Sequence, residues 1–420
     1  MAIIAEAVES LKASVFEALK PSSILATCEE VGHRWRARCL DPVSTIWLFA
    51  HQILLGNTAC SHVARLRPDR QVTDTAYCQA RARLPLILFR RLFERVARCL
   101  QAQVQRPTMW RGRRVVIVDG TSCTMPYTKE LDAAFGHPAA QGVGCSFPVM
   151  SVLGLFEAGT GLMIDLVLER LTRHDASLLH SVIRCLRRGD VVIADRAFAG
   201  WCQLMLLVRR GVDVIARLHQ CRMVDAPRCR VMSARDWIER WPKPADKPDW
   251  MQQGVFDRLP EQLEVRVVEY RVEIPGHRTR DVRLVTTLLD ADLYPNEELA
   301  ERYLDRWEIE VNFRHLKQTL RMDQLKCRTP DGVRKEVYMF GIIYNLVRVT
   351  MLEAAQRQGV PPDRISFIDV LRWLVDRFAG HPMPVFKVNP RRPGRFKPRT
   401  IKRRPTKYPL QPPGESPRTR

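Results

Sequence analysis

Four residues whose side chains could act on a phosphate ester recur at helical spacing in the last third of the chain. Tyr303, Arg306, Glu310 and Lys317 lie in one run without Gly or Pro, at intervals of three, four and seven residues. At ~3.6 residues per turn, these intervals place all four on one face of a single helix. A carboxylate suits a metal ion, cations suit phosphate oxygens, and a phenol can donate to a bridging oxygen. The set indicates metal-assisted phosphodiester chemistry, whereas an exposed helix with an ordinary Arg306–Glu310 ion pair is the structural alternative.

Two aspartates follow short apolar runs upstream of this helix. Asp119 comes directly after Val115–Val118, and Asp195 comes directly after Val191–Ala194. Each run is typical of a buried strand, and open α/β sheets form their sites at the carboxyl ends of parallel strands. Taken singly, each aspartate is more simply explained as a loop cap. Together with Glu310, the two predict a site at one edge of a sheet.

The three carboxylates would repel one another if they converged. Closely spaced carboxylates raise each other's pKa unless a cation neutralises them. Hard oxygen ligands favour Mg2+, for which Mn2+ can substitute. Two such ions ~3.5–4 Å apart can activate a water or a 3′-hydroxyl and stabilise the leaving oxygen of a phosphodiester. The sequence therefore predicts that Asp119, Asp195 and Glu310 form a two-ion Mg2+ site.

The elements around the two aspartates predict a mixed α/β sheet with flanking helices. Strands are predicted at Phe147–Phe156 and Leu162–Leu168, and Asp175 can cap a helix that runs to about residue 188. A helix over Trp201–Arg210 and a strand over Val212–Leu218 follow the second aspartate. Three strands, a helix, a strand, a helix and a strand form the order expected of this fold class.

Composition divides the chain into five parts. Residues 1–106 show helical periodicity and are predicted to be a helical N-terminal DNA-binding region. Residues 107–219 hold the first part of the catalytic core, 220–296 a β-rich insertion, and 297–380 the second part of the core. Residues 381–420 are a basic, Pro-rich tail.

Short helices and a tight turn in the N-terminal region favour a helix-turn-helix interpretation. Pro42–Gly56 is predicted to be a buried helix that ends at its glycine, and a later helix begins near Thr73 or Asp74. That later helix carries Tyr77, Gln79, Arg81 and Arg83. An Arg- and Gln-bearing helix suits docking in a major groove, although many helical bundles share these features. Both interpretations stay open at this point.

Net charge separates this chain from an average globular protein. It has 67 Lys and Arg against 46 Asp and Glu, a formal charge of +21 and a pI near 9.9. A surplus of this size predicts a polyanionic partner, most simply nucleic acid. Twelve Lys and Arg and a single acid lie in residues 387–420, among many prolines. This composition predicts a disordered tail that binds phosphates nonspecifically, or else a solubilising or targeting tail.

Membrane, disulfide and zinc classes are disfavoured. Apolar stretches such as Val115–Val118 and Leu204–Val208 are far shorter than the ~18–20 residues of a spanning helix. The first ten residues carry acids where a signal peptide would carry basic residues, so a cytoplasmic location in a bacterium is expected. The twelve cysteines are scattered without a C-x-x-C pair, which predicts free thiols.

A known family shares three motifs of this chain: Asp119-Gly-Thr, Asp195-Arg-x-Phe198 and Tyr303-x2-Arg306-x3-Glu310-x6-Lys317. They resemble those of the DDE transposases of bacterial insertion sequences, in the insertion-sequence-four-like group named for its Y-R-E-K signature. The signature spacing is matched at every position, and the resemblance covers about residues 40 to 350. It implies an RNase H-like catalytic domain that is interrupted by a β-rich insertion and preceded by a helical region that binds transposon ends.

The resemblance also implies a reaction and residue roles. It implies cut-and-paste transposition, with metal-dependent cleavage at terminal inverted repeats, a hairpin intermediate in better-known relatives, and strand transfer into target DNA by the 3′-hydroxyl. It implies that the metals are held by Asp119, Asp195 and Glu310. It implies DNA contacts for Tyr303, Arg306, Lys317 and Arg196.

One position departs from the relatives that make hairpins. They place a tryptophan in the insertion just before a strand that resembles Leu284–Leu289, and here that place is held by Arg283 or a neighbour. Base–aromatic stacking is worth ~1–3 kcal/mol, so its loss would matter. Substitutes from other loops, which are as readily core or interface residues, are Trp237, Trp241 and Trp250.

Two other functions stay open on sequence grounds. One is a catalytically silent DNA-binding regulator of the element, although the presence of all three acids argues against it. The other is an RNase H-like DNA nuclease with the same metal site, whose cleavage would not depend on element ends. The leading expectation is an active transposase that forms a homodimer on DNA, because synapsis joins two ends.

Overall fold

The computed structural model describes most of the chain between residues 19 and 390. The described residues are 19–36, 38–65, 72–101, 109–138, 147–171, 175–219, 222, 229–272, 280–375 and 383–390. The predicted disordered tail beyond residue 390 lies outside them, as do residues 1–18. The cysteines within these ranges are free thiols, as predicted.

Helices make up the N-terminal part of the described chain. They are α1 (Pro21–Glu30), α2 (Pro42–Leu54), α3 (Cys60–Arg65), α4 (Asp74–Arg83) and α5 (Leu86–Gln101). The Asp41 carboxylate caps α2 by accepting a hydrogen bond from the Ser44 N–H at 2.7 Å. The Thr73 hydroxyl caps α4 in the same way through the Ala76 N–H at 3.1 Å. The helix predicted to begin near Thr73 is therefore confirmed.

One nine-stranded sheet runs through the rest of the molecule. Its strands are β1 (Val115–Thr124), β2 (Val149–Glu157), β3 (Met163–Arg170), β4 (Val191–Ala194), β5 (Asp213–Arg217), β6 (Cys229–Ser233), β7 (Asp236–Pro242), β8 (Gln262–Val272) and β9 (Arg280–Thr286). Their order across the sheet is β3-β2-β1-β4-β5-β9-β8-β7-β6. β1 runs antiparallel to β2 and parallel to β4, and β4 runs parallel to β5. The predicted mixed α/β sheet is confirmed.

The remaining helices flank the sheet. They are α6 (Lys129–Phe135), α7 (Asp175–Val182), α8 (Trp201–Arg209), α9 (Gln253–Asp257), α10 (Asn296–Leu304), α11 (Arg306–Arg314), α12 (Pro330–Gln358) and α13 (Phe367–Val375). The predicted order of strands and helices holds except for α6, a short helix that the sequence analysis missed. α7 is also shorter than predicted, because a 3-10 turn at Ile183–Cys185 follows it.

Alternate residues of β1 enter two different hydrophobic cores. Val115 and Ile117 belong to the core that contains residues of α5 and α12. Val116 and Val118 belong to the core on the opposite face, with residues of α7 and α8. β4 alternates in the same way, and its Ile193 lies in the α12 core. Because side chains alternate along a strand, the odd-numbered positions of both strands face α12.

The β-rich segment predicted at residues 220–296 extends the same sheet. β9 pairs antiparallel with β5, where Ala216 lies opposite Val285, and β8, β7 and β6 follow outward. Arg266 on β8 is fully buried, and its guanidinium forms two hydrogen bonds with the Asp236 carboxylate at 2.8 and 2.7 Å. This pairing compensates a charge that would otherwise be costly to bury. The segment is therefore continuous with the sheet that carries the two aspartates.

α12 lies at the centre of the first core. By length and composition alone, this helix could cross a membrane, because its most apolar window has a mean hydropathy of 1.2. In the folded protein, however, 78% of that window is buried. It packs against α2, α5 and β3. The sequence-based statement that the apolar stretches are far too short to span a membrane was therefore wrong for this helix. A helix that is apolar on most sides is expected when protein surrounds it.

Candidate active site

Asp119 and Asp195 lie on the same face of the sheet. The parallel register pairs Val118 of β1 with Ala194 of β4, so the two aspartates occupy the next position on neighbouring strands. Both continue the odd-numbered alternation that faces α12. The two aspartates predicted to meet at one sheet edge are thus neighbours in the backbone register.

The two carboxylates share a local hydrogen-bonding arrangement. Asp119 Oδ1 accepts from the Gly120 N–H at 2.8 Å, and Asp195 Oδ1 accepts from the Arg196 N–H at 2.7 Å. Their backbones differ, because β4 ends before Asp195 whereas β1 continues through Asp119 to Thr124. The prediction that the strand ends at Asp119 was therefore wrong. The antiparallel partner β2 extends the pairing on one side after β4 has ended on the other.

The helix that carries Glu310 is interrupted twice. α10 ends at Leu304, α11 begins at Arg306, and a π-helical turn spans His315–Thr319. Asp305 between the two helices keeps helical dihedral angles, with φ −58° and ψ −21°, so the chain direction is nearly preserved. The prediction of one regular helix was wrong at these two points. π turns are frequent at functional sites, and residue spacing alone does not reveal them.

A glycine opposite Asp119 allows α11 to lie directly on the sheet. Gly154 of β2 pairs with Asp119 in the antiparallel register. A Cβ at this position would lie 2.8 Å from Phe156 Cε2 and 3.1 Å from Phe313 Cζ, so the rings would have to move. The two rings meet edge to face, with centroids 5.3 Å apart. The absence of a side chain at Gly154 therefore sets how closely α11, which carries Glu310, approaches Asp119.

Arg306 lies between two of the predicted carboxylates. Its Nη1 is 3.5 Å from Asp119 Oδ2, and its Nη2 is 3.5 Å from Glu310 Oε1. Its Nε is buried and has no hydrogen-bond partner within the described residues. Buried polar groups are normally hydrogen-bonded, and a guanidinium pairs strongly with phosphate oxygens. The unpaired N–H is therefore a donor that a bound phosphate can satisfy.

Asp119, Glu310 and Lys317 line one groove of about 860 Å³. Lys317 donates a hydrogen bond to Thr121 Oγ1 at 3.3 Å, two residues beyond Asp119 on β1. The groove wall also contains polar residues that the sequence analysis did not single out: Arg314, Gln318, Asp323 and Gln324. Arg314 and Gln318 follow Glu310 at helical spacing, and that spacing is a signal that identifies them.

Tyr303 and Arg196 occupy contrasting positions around Asp195. Tyr303 is 8% exposed, and burial raises the pKa of its phenol to about 12. Arg306 lowers this pKa and Asp195 raises it, which places the phenol near both charges. Arg196 is exposed in the turn after β4. Of these two residues predicted to contact DNA, Tyr303 is therefore nearly buried and Arg196 is exposed.

The three acids fit a divalent metal by their chemistry. Their oxygens are hard donors that suit Mg2+ or Mn2+. The Asp119 side chain is 25% exposed and that of Glu310 is 50% exposed, so an ion can reach both from solvent. Across the described ranges, no group of three or more His, Cys, Asp or Glu side chains is close enough to hold a metal ion. An ion bound by Asp119 and Glu310 together would take over the counter-charge that Arg306 now supplies.

Two residues of α4, the helix considered for docking in a major groove, pack against α2: Tyr77 is buried and Arg81 is half-buried. Tyr77 is fully buried and donates to Gln52 Oε1 at 2.9 Å. Arg81 donates to the same oxygen at 2.8 Å, and its guanidinium lies 4.5 Å from the centre of the Phe49 ring. These contacts give Tyr77 and Arg81 a packing role between helices, as in the helical-bundle interpretation that the sequence left open. Arg83, also on α4, is exposed.

The three tryptophans considered as base acceptors are packed against the protein. Trp241 is 3% exposed and donates to Glu239 Oε2 at 2.6 Å. Trp237 donates to the other oxygen of the same carboxylate at 2.7 Å. Trp237 and Trp250 are partly buried against the core formed with α7 and α8. These contacts favour a structural role for all three.

A family model described as the transposase DDE domain matches residues 110–346. This range exceeds half of the chain and includes Asp119, Asp195 and Glu310. The chain belongs to the transposase DDE domain family. Enzymes of this family catalyse DNA cleavage and strand transfer, and they generally use divalent metal ions. The resemblance stated from the three motifs is confirmed.

Similar proteins extend the relationship beyond the matched domain. The transposase InsG for insertion sequence element IS4 of Escherichia coli strain K12 is 24% identical over 378 residues, which cover 81% of this chain and 79% of that protein. A probable transposase for insertion sequence element IS5377 of Geobacillus stearothermophilus is 34% identical over 89 residues, 21% of this chain and 23% of its own. The cryo-EM structure of a piggyBac transposase synaptic complex with hairpin DNA aligns over 86% of this chain and 78% of that one, at 10% identity and a TM-score of 0.47. That score does not establish a common fold, and the membership of this chain in the transposase DDE domain family rests on the match over residues 110–346.

Proposed function

We propose that the groove between β1 and α11 is the centre at which this transposase cuts transposon ends and joins them to target DNA. Asp119, Asp195 and Glu310 are its acidic residues. The observation that carries the proposal is Arg306, which lies within 3.5 Å of both Asp119 and Glu310. Arg306 and Asp119 are 187 positions apart in the chain, and their contact supports a site that only the folded protein assembles.

The metal requirement is proposed to be Mg2+, with Mn2+ as a substitute, in a two-ion site held by Asp119, Asp195 and Glu310. Bound ions supply activation of a water or a 3′-hydroxyl and stabilise charge on the leaving oxygen. The carboxylates themselves provide the negative charge that draws the ions into the groove. The shared sheet face of the two aspartates and the exposure of Glu310 support this arrangement.

Four side chains are proposed to bind DNA phosphates near the scissile bond: Arg306, Lys317, Arg196 and Tyr303. Arg306 offers the buried, unpaired Nε–H, and Lys317 lines the same groove. Hydrogen bonds from such cations to phosphate are short and strong. Arg196 extends the positive surface beyond Asp195. Tyr303 is nearly buried, so only a small part of its side chain is available for such a contact.

An RNase H-like core is proposed for the first five strands. Three antiparallel strands in the order β3-β2-β1 are followed across the sheet by β4 and β5, which run parallel to β1. Asp119 lies on the first strand and Asp195 just after the fourth. The strands of residues 220–296 then form an insertion added at the β5 edge.

The substrate is proposed to be double-stranded DNA that carries the terminal inverted repeats of the element, with target DNA as the acceptor. The formal charge of +21 supports a polyanionic partner of this kind. Because joining requires two ends at once, we propose a homodimer in the synaptic complex. Light scattering of the complex with end DNA should give two protein chains per pair of ends, and one chain per pair would contradict it.

A nicking assay tests the proposed centre. The full chain is incubated with Mg2+ and a supercoiled plasmid that carries the element's own ends. Asp119→Asn, Asp195→Asn and Glu310→Gln should each lower end nicking by more than ~1,000-fold, as expected of groups that act together in the chemistry. Asp257→Asn is the matched control, because Asp257 is exposed on α9 and is not among the residues that line the groove.

Each contrary outcome of this assay has a distinct meaning. Undiminished nicking by the three variants would overturn the site assignment. Tight binding of the wild type to element ends without metal-dependent nicking would indicate a silent regulator. Nicking that does not require element ends would indicate a nuclease.

A further inference from the structure

A pocket in the N-terminal helices carries charges that the proposed catalytic centre does not use. It has a volume of about 350 Å³ and lies between residues 33–36 and 38–40 on one side and parts of α2 and α4 on the other. Ligand pockets have volumes of ~300–1,000 Å³, so this one has room for a small group. Its lining contains no Asp or Glu.

The rim of the pocket is strongly positive. Its exposed cations are Arg34, Arg36, Arg38 and Arg83. In the part of the chain that the structure describes, no carboxylate pairs with any of the four. The nearby Arg95 on α5 differs, because it pairs with Glu30 at 2.5 Å. Four exposed guanidiniums around one opening are suited to an anionic ligand, and phosphate is the anion that matches guanidinium geometry best.

The interior of the pocket is aromatic and apolar. Trp35 is 36% exposed, and its indole stacks on the His33 ring with centroids 6.2 Å apart and planes 21° apart. Burial lowers the pKa of His33 from its ordinary value of 6.5, which favours the neutral ring near physiological pH. The lining is completed by Leu40, Pro42, Thr45, Ala80 and Leu84. The pocket therefore combines a flat aromatic surface with a cationic rim.

We propose that this pocket binds an unpaired nucleotide of DNA, with its base against Trp35 and its phosphates at the arginines. Bases within a duplex are stacked on each other and present only their edges, so the interior of a duplex offers no ring face to an indole, and only the two terminal base pairs expose one. An unpaired nucleotide presents a ring face and a phosphate together, and aromatic side chains with a positive groove are what bind single strands. The inference rests on DNA being the ligand of this transposase and adds that part of the DNA is held unpaired.

Fluorescence anisotropy with the full chain tests the proposal. The probes are fluorescein-labelled oligo(dT) of ~16 nucleotides and a blunt duplex of equal length. EDTA is present throughout, so that binding is measured without cleavage. The variants are Trp35→Ala, Trp35→Phe and Arg36→Ala, and the control is Arg258→Ala, an exposed arginine just after α9.

Trp35→Ala should weaken oligo(dT) binding by ~5- to 150-fold, the range that corresponds to one lost base stack, and should change duplex binding by less than about 2-fold. Trp35→Phe should restore most of the loss, because a phenyl ring also stacks. Arg36→Ala should reduce the slope of log affinity against log salt by ~0.7 on oligo(dT), as expected for one phosphate contact on a single strand. Arg258→Ala should match the wild type on both probes.

Two outcomes would overturn the proposal. One is unchanged oligo(dT) affinity in Trp35→Ala; the other is an equal loss on both probes, which would show that the pocket binds DNA without distinguishing unpaired bases. Far-UV circular dichroism identifies a variant that fails to fold, and Trp35→Phe and the Arg36→Ala salt slope then carry the test. Failure here leaves the nicking assay with the Asp119, Asp195 and Glu310 variants unaffected, so the two proposals can fail separately.

Discussion

Arginines line both the catalytic groove and the N-terminal pocket, but their surroundings differ. In the groove, Arg306 is 16% exposed and lies 3.5 Å from each of two carboxylates. In the pocket, Arg34, Arg36 and Arg38 are exposed and no acid lies in the lining. In the groove, the cation is therefore paired with carboxylates of the protein. In the pocket, the cations have no carboxylate in the lining and can bind an anionic ligand.

This difference has consequences for how each region responds to its surroundings. Exposed charges are screened by salt over a distance of ~8–10 Å, whereas partly buried pairs are screened much less. Binding at the pocket should therefore depend steeply on salt. The rate of DNA cleavage at the groove should depend less on salt. It should depend mainly on the charged groups and the helix that lie next to Asp119.

The largest effect that would sharpen this comparison is expected from Arg306→Ala. Removing the guanidinium leaves Asp119 and Glu310 without their common counter-charge and removes a phosphate donor, so end cleavage at saturating DNA should fall by ~100-fold. The measurement is single-turnover nicking, with Arg258→Ala as the control. If Arg306→Ala cleaves DNA as fast as the wild type, the contacts of Arg306 with the two carboxylates are ordinary surface ion pairs. The groove and the pocket would then not differ in the role of their arginines.

A smaller loss is expected from Gly154→Ala, which tests whether packing positions the groove. The added methyl group would lie 2.8 Å from the Phe156 ring and 3.1 Å from the Phe313 ring, so both rings must move, and displacement of Phe313 should shift α11 relative to Asp119. Overpacking of this kind costs ~1–3 kcal/mol of stability, and a small misplacement of catalytic groups should lower cleavage by at least ~10-fold. Urea unfolding and single-turnover nicking measure the two effects.

Gly254→Ala is the matched control for that substitution. A Cβ at Gly254 on α9 has no atom within 4 Å, so neither stability nor cleavage should fall. If the two alanine variants have equal stability and equal cleavage rates, the packing of α11 against β2 does not position the residues of the groove.

Lys317→Ala should lower end cleavage by ~10-fold, the size expected when one charged hydrogen bond to phosphate is lost. Its half-buried side chain lines the groove and donates a hydrogen bond to Thr121. Lys129→Ala, at an exposed position on α6, is the control. A loss in Lys317→Ala that disappears at high DNA concentration would assign this residue to binding alone, as in the pocket.

The smallest effect concerns stability and pH beside the groove. Burial raises the pKa of Asp305 from its ordinary 3.8 to about 6; Arg302, at 3.0 Å, lowers it, and Glu308 raises it further. The folded state therefore binds the proton more tightly than the unfolded state, and the ionised carboxylate costs stability as pH rises through this window. Asp305→Asn should stabilise the protein above about pH 6 and match the wild type below about pH 4.

Thermal unfolding across this pH range measures the Asp305 effect. A variant that is less stable than the wild type at neutral pH would show that the ion pair with Arg302 outweighs the cost of burial. In that case the charges beside the groove would be stabilising, and the contrast with the exposed arginines of the pocket would be weaker.

The local sequence pattern was sufficient to predict the two strands next to the aspartates. The runs before Asp119 and Asp195 are buried and parallel, as their β-branched residues predicted. Thr73 caps its helix because a hydroxyl at that position satisfies a free N–H of the first turn. These features depend on a few neighbouring residues, and a sequence contains them.

Features that depend on distant contacts escaped the sequence analysis. Arg81 lies on the helix considered for docking in a major groove, and only the structure shows that it donates a hydrogen bond to Gln52 on another helix. α12 is long and apolar enough to cross a membrane, and only its packing shows it to be a core helix. The breaks at Asp305 and at the π turn arise where the helix meets the sheet, and spacing alone does not locate them.

The sequence by itself determined which residues are proposed for the chemistry of this transposase: two aspartates that directly follow buried apolar runs, Glu310 on a helix, and the cations at signature spacing. Side-chain type and strand alternation are local properties, so they can be inferred along the chain. Only the tertiary structure decided that Arg306 lies between Asp119 and Glu310, that Gly154 seats the helix, and that arginines gather around Trp35. Each of these depends on atoms brought together by packing from separate parts of the chain.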